Sequence, residues 1–253
     1  MPVTSPYTPE FFDRMDKQGL SSARVIVPIL LQWHATQRVV DVGCGRGAWL
    51  SAFREAGVPH IQGIDGPWVD TNQQLIPPES FLASRLDQIR SNSISQSQYD
   101  LAICLEVGEH LPASQSTDLV QNLTSIAPVV LFSAAIPGQQ GTDHINEQWP
   151  EFWEALFQVR GFTRLDPLRP RIWRDSRVAW YYQQNLYVYV SSQVLAESPH
   201  WQEELRLTQS SPLTLIHPKI LAPQRSLRKA FGKLRELFLQ SLRRRFLGNP
   251  DSN

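Results

Sequence analysis

At 253 residues, with 24 Lys+Arg against 24 Asp+Glu, the chain is long enough to bury one full core plus a tail, and its zero net charge supplies no global field toward nucleic acid or membrane. Two cysteines make no disulfide framework and point to a reducing compartment. No stretch reaches the roughly 18 apolar residues of a membrane span, and residues 1–20 carry no signal-peptide pattern, so the expected location is the cytoplasm.

Residues 1–7 read as a polar leader. Thr8 as N-cap and Pro9 at the first helical position open a predicted helix with Phe11, Phe12 and Met15. A break at Gly19 precedes a second, capped by Ser21 or Ser22, with Val25, Ile26, Ile29, Leu30 and Trp33 on one face and a kink at Pro28. Two readings stand for this region: a lid over the ligand end of a sheet, built on Tyr7, Phe11 and Phe12, or edge packing.

Val39, Val40 and Val42 form the β-branched run of a strand buried on both faces. It stops at Gly43, Gly45 and Gly47, after which Ala48 to Phe53 opens a helix ending at Gly57. Strand, glycine turn and helix make the first unit of an open α/β sheet, whose ligands sit at the carboxyl ends of the strands. A dinucleotide asks for G-x-G-x-x-G/A, and Gly43, Gly45 and Ala48 meet the looser form. S-adenosylmethionine asks for an acid two places before G-x-G-x-G, which Asp41, Gly43, Gly45 and Gly47 meet in full. Charge separates the two: Asp41 repels a pyrophosphate and attracts the ammonium of S-adenosylmethionine, so the methyl donor is the expected cofactor.

A second strand, His60–Asp65, ends in an acid 22 residues after Gly43, near the spacing at which a carboxylate meets ribose hydroxyls. Trp68 in the following turn is an adenine-packing candidate or a plain anchor. A third strand spans 81–87; Leu86 and Asp87 are expected against the adenine, with a helix cap as the other reading of Asp87. Residues 90–98 are a polar loop. The fourth strand, 99–107, delivers Glu106 to the carboxyl edge, toward the methionine end or the acceptor; His110 reads as structural, steadying a helix over 113–126. Residues 129–136 are the fifth strand.

These motifs resemble, in order and spacing, the class I S-adenosylmethionine-dependent methyltransferases: the 41–47 glycine turn, Asp65, Asp87 and the stretch Leu105-Glu106-Val107-Gly108-Glu109-His110-Leu111. Phe132 to Gly138 and Asp143 to Pro150 are similar to a narrower bacterial group associated with sugar or secondary-metabolite pathways. The resemblance covers about residues 5–190. It implies a Rossmann-like, seven-stranded, mostly parallel sheet with helices on both faces and a final antiparallel hairpin. The hairpin strands are expected at 163–173 and 183–191.

The loop 138–149 follows the fifth strand at the ligand edge, and its His144 is the candidate general base for a hydroxyl acceptor, since imidazole titrates in the useful range. The competing reading has His144, Asn146 and Glu147 fastening the loop to a helix begun by Pro150, whose Phe152, Trp153, Leu156 and Phe157 are core. No metal cluster is legible, and metal-assisted catechol-type chemistry is not expected. Arg169, Arg171, Trp173, Arg174, Arg177, Trp180, Tyr181 and Tyr182 form a cation-rich aromatic region, read as a sugar or anion surface or as packing.

Domains are expected at 1–191 (catalytic, with the helical lid), 192–224 (linker) and 225–253 (basic amphipathic helix). Residues 225–246 hold eight Lys/Arg and one acid, with Leu227, Phe231, Leu234, Phe238 and Leu242 at helical spacing. Such a helix suits peripheral membrane contact, a partner, or the acidic body. The expected acceptor is a small molecule, a sugar or a lipid-linked glycan. RNA is the alternative, supported only by the basic tail; a non-catalytic donor-binding module is the third reading.

Overall fold

The computed structural model describes residues 9–85, 99–209 and 212–221. Leu86, Asp87, Tyr7, the side chains of Phe11 and Phe12, and the basic segment 225–253 lie outside these residues. The chain divides into compact units at 1–216 and 217–253; of the second, one short helical turn, Pro218–Leu221, is described.

Helix α1, Pro9–Trp33, is continuous where a break at Gly19 was expected. A Cβ on Gly19 would lie 3.5 Å from the Ala48 Cβ, so the missing side chain lets α1 run close over helix α2, Ala48–Glu55. Packing there outweighs the roughly 1 kcal/mol that glycine costs a helix interior. Pro28 also lies inside α1.

Strands β1 (Arg38–Val42), β2 (His60–Asp65), β3 (Phe81–Ala83), β4 (Leu101–Leu105), β5 (Val129–Ser133), β6 (Phe162–Leu165) and β7 (Tyr187–Ser191) form one sheet in the order β3-β2-β1-β4-β5-β7-β6. The first five are mutually parallel, and β7 runs antiparallel to both β5 and β6. The expected α/β sheet with its closing hairpin is therefore present, and the chain order reverses between β1 and β4, where open α/β sheets bind ligands.

Alternation along the central strands splits the core into two layers. Val39, Leu101, Ile103, Val129 and Leu131 face one layer with Ile26, Leu30 and Phe53. Val40, Val42, Ala102, Cys104, Val130 and Phe132 face the other with helix α3 (Ser116–Ile126) and α4 (Pro150–Val159). Pro150 opens α4 and Trp153 and Phe157 are buried, as expected.

Two expectations are corrected. The segment 163–173 is not one strand: β6 stops at Leu165 and helix α5 occupies Arg169–Ile172, while helix α6, Trp180–Asn185, precedes β7. Residues 192–208 are not linker: α7 (Ser192–Glu197) and α8 (Pro199–Thr208) are capped by Ser191 and Ser198, and Trp201 of α8 is buried in the first core layer. Among the described residues, no helix is long and apolar enough to cross a membrane.

Candidate active site

The turn after β1 places Gly43, Gly45 and Gly47 at φ of 86°, 53° and 84°, in the left-handed region that glycine enters without penalty. A Cβ on Gly43 would stand 2.4 Å from Val107 Cγ2, so this glycine is also required by packing. At Gly45 a Cβ would meet nothing within 4 Å: the turn opens there. The turn is tied to β2, with Gly43 N–H donating to the Ile64 carbonyl (2.8 Å) and Gly45 N–H to Asp65 Oδ2 (2.7 Å).

Asp65 also accepts from Gly66 N–H at 2.6 Å. It thus braces the turn as well as standing where ribose hydroxyls are expected, since each oxygen retains acceptor capacity. Trp68 folds back over Gly66, whose added Cβ would lie 2.2 Å from the indole, and the ring remains 63% exposed. Asp41 is buried one strand away; desolvation first and the charge of Asp65 second hold its carboxyl well above the usual carboxylate range. Arg46, the cation of the turn, is buried and spent on Asp13 and Asp16 of α1. An acidic edge whose arginine is already paired suits a cationic ligand and opposes a pyrophosphate, which fits S-adenosylmethionine.

Glu106, just past β4, has φ 55°, an uncommon conformation for a residue with a Cβ. Its N–H donates to the Ser133 carbonyl (2.9 Å) and to Ser133 Oγ (3.2 Å). Its carboxylate accepts from Gln139 Nε2 (2.9 Å) and Asn185 Nδ2 (3.2 Å). Burial raises its pKa, against the opposing pull of those amides, Ser133 and the nearby His144. Ser133, Gln139 and Asn185 escaped the sequence reading, because amide and hydroxyl residues carry no motif.

The loop after β5 folds back on the turn after β4. Ile145 and Asn146 N–H both donate to the Glu109 carbonyl, and Asn146 Nδ2 donates to the Gly108 carbonyl (3.2 Å) and Ser116 Oγ (3.0 Å). Glu147 accepts from Gly138 N–H (2.8 Å) and Gln140 N–H (2.7 Å), and its Oε1 lies 2.9 Å from His144 Nδ1. Asn146 and Glu147 do fasten the loop, and in doing so they fix the imidazole. His144 stands edge-on to His110, ring centroids 5.0 Å apart. Glu109, His110 and His144 come together here, a grouping the sequence reading missed although Glu109 and His110 are adjacent in the chain.

Asp41, the three glycines, Asp65, Glu106 and His144 thus all belong to the carboxyl edge. The cation-rich region does not present free arginines as a group. Arg169 is buried in a bidentate pair with Asp166, Arg171 pairs with Glu204 on α8, and Arg177 pairs with Asp175.

Sheet order, glycine turn and acidic edge together fit a methyltransferase domain that takes S-adenosylmethionine at this edge. Residues 13–158, more than half of the chain, match the family described as methyltransferase domain, and the chain belongs to that family. No curated protein matches the sequence. Among solved structures, the fold is similar to an amino pentose methyltransferase of calicheamicin biosynthesis from Micromonospora echinaspora (TM-score 0.54, 15% identity, 76% of this chain and 100% of that one). It is also similar to magnesium protoporphyrin IX methyltransferase from Synechocystis PCC 6803 with bound S-adenosylmethionine (0.51, 17%, 76% and 88%). An O-methyltransferase family protein from Burkholderia thailandensis matches at TM-score 0.52 and 10% identity over 74% of this chain; the match spans 61% of that protein's length.

Proposed function

We propose that the protein methylates a hydroxyl of a small molecule, with a sugar as the favoured class and His144 as proton acceptor. The observation that carries this reading is the His144–Glu147 pair, Nδ1 to Oε1 at 2.9 Å, beside half-buried Glu106 at the ligand edge. Asp41 would hold the donor's ammonium, the Gly43–Gly47 turn its backbone-facing side, and Asp65 its ribose. When bound, the donor supplies a methyl group on a sulfonium. The chain's work is then orientation for in-line displacement and removal of one proton from the acceptor. With Nδ1–H donating to Glu147, Nε2 is left to take that proton as the new C–O bond forms, and Glu147 stabilises the resulting imidazolium.

Ile145 and Trp149, both exposed, flank the loop and offer apolar surface for the face of a sugar. The amino pentose acceptor named for one similar structure is of this class. A lipid-linked glycan acceptor and peripheral membrane contact rest on the basic composition of 225–246 alone. The test is turnover of His144→Ala and Glu147→Gln with a hydroxylated acceptor, alongside donor affinity. His144→Ala should lower kcat by about 10²–10⁴-fold and leave donor affinity within about twofold. Unchanged turnover in His144→Ala rejects the assignment.

A further inference from the structure

Among the described residues, one group of three side chains has metal-ligating chemistry: Glu109, His110 and His144, with one ligand atom from each within 4.8 Å of the others. Glu109 is fully buried, and neither of its oxygens has a hydrogen-bond partner; the nearby N–H groups of Ala135 and of Glu109 itself only partly offset the effect of burial, which holds its carboxyl well above the usual range. His110 Nδ1 is likewise buried without a partner. A buried carboxylate left unpaired costs the fold several kcal/mol, and native structures keep such groups where something else completes them. Packing gives no account of these orphans, since a leucine at 109 would fill apolar space without that cost.

We infer that Glu109, His110 and His144 bind one divalent cation of the first transition row, zinc or a close neighbour. Two imidazoles and one carboxylate are a ligand set that such ions accept, whereas magnesium and calcium prefer all-oxygen sites. Even with all three atoms 4.8 Å apart, an ion at their centre would stand about 2.8 Å from each, so roughly 0.7 Å of closure per side chain reaches a bond of about 2.1 Å. The loop is built for this: Glu147 bonds His144 Nδ1, as an outer carboxylate does for a metal-bound imidazole. The double donation of Ile145 and Asn146 to the Glu109 carbonyl joins the two ligand-bearing segments.

Three protein ligands leave positions for an acceptor oxygen, the arrangement of a catalytic and not a closed structural site. That consequence rests on the hydroxyl acceptor proposed above; ion binding itself does not. In the ion-loaded protein His144 Nε2 is a ligand and is no longer the proton acceptor proposed above, a role it holds only in the ion-free chain; Glu147 fixes its tautomer in either state.

The test is calorimetric titration of chelator-stripped, untagged full-length protein with Zn²⁺, Mn²⁺ and Mg²⁺, without donor or acceptor. One Zn²⁺ per chain is expected, with Mn²⁺ weaker and Mg²⁺ weakest. Glu109→Gln and His144→Ala should each weaken Zn²⁺ by more than about 100-fold, and Glu147→Gln by about 10–100-fold. His200→Ala, an exposed imidazole on α8, should bind as the parent does. Near-ultraviolet circular dichroism checks that each variant is folded. Absence of stoichiometric binding to the parent, equal binding by a folded Glu109→Gln, or Mg²⁺ as tight as Zn²⁺ would overturn the assignment. Failure of the acceptor reading looks different: the ion binds, but no hydroxyl is methylated.

Discussion

Replacing Gly43 by alanine tests how the glycine turn is held. Two costs are legible at that position. A φ of 86° places an L side chain in the left-handed region, worth about 1–2 kcal/mol. The new Cβ also lies 2.4 Å from Val107 Cγ2 and 3.2 Å from Cγ1, an overpacking that typically costs about 1–3 kcal/mol. Gly43→Ala should therefore destabilise by about 2–5 kcal/mol. Val107→Ala removes both offending atoms and leaves only Val107 Cβ, at an ordinary 3.4 Å. Alone it should cost about 1.5 kcal/mol for two buried carbons. In the double variant the steric part vanishes and the backbone part stays, so the pair should be about 1–3 kcal/mol less destabilised than the sum of the singles. Urea unfolding of all four proteins without donor gives the cycle. Additivity within about 0.5 kcal/mol would refute the contact.

Three other expectations follow from buried groups. The folded-state pKa of Asp41 is raised above its unfolded value by burial, so the folded chain keeps a proton that the unfolded chain loses; stability from this group falls as pH rises from the ordinary carboxylate range through the raised value. Asp41→Asn should flatten that slope in donor-free protein relative to the parent, and should weaken donor binding about tenfold or more by removing a charge-assisted partner of the ammonium; an identical slope and affinity would contradict both. Arg169→Ala leaves Asp166 buried and uncompensated, and should cost about 3–5 kcal/mol in chemical unfolding. Trp201→Ala should cost a similar 3–5 kcal/mol by the same measurement, which a linker residue would not.

What could be read from the sequence was what local chemistry dictates. Three alternating glycines after a β-branched run admit few conformations, and the unbroken apolar stretches of β4 and β5 suit strands covered on both faces. Gly19 misled because a glycine that ends a helix and a glycine that lets α2 approach look alike in one dimension. The 163–173 segment misled because Arg169 reads as a surface cation until its partner Asp166 is seen to be buried with it. Glu109 and His144 lie 35 residues apart, and the bonds from Ile145 and Asn146 to the Glu109 and Gly108 carbonyls and to Ser116 bring them together. A pairing made by a returning loop leaves no periodic trace. At the carboxyl edge, Asp41, Asp65 and Glu106 were legible because strand ends are countable; the amides that hold Glu106 were not.

The most direct test of the central claim follows a labelled methyl group. The full-length protein and His144→Ala are incubated with methyl-labelled S-adenosylmethionine and cell extract, and small molecules, glycolipid, RNA and protein are then separated. Label should enter the small-molecule or glycan fraction as a base-stable ether and fall by at least about 100-fold in the variant. Label in RNA or protein, or undiminished label with His144→Ala, would contradict the account.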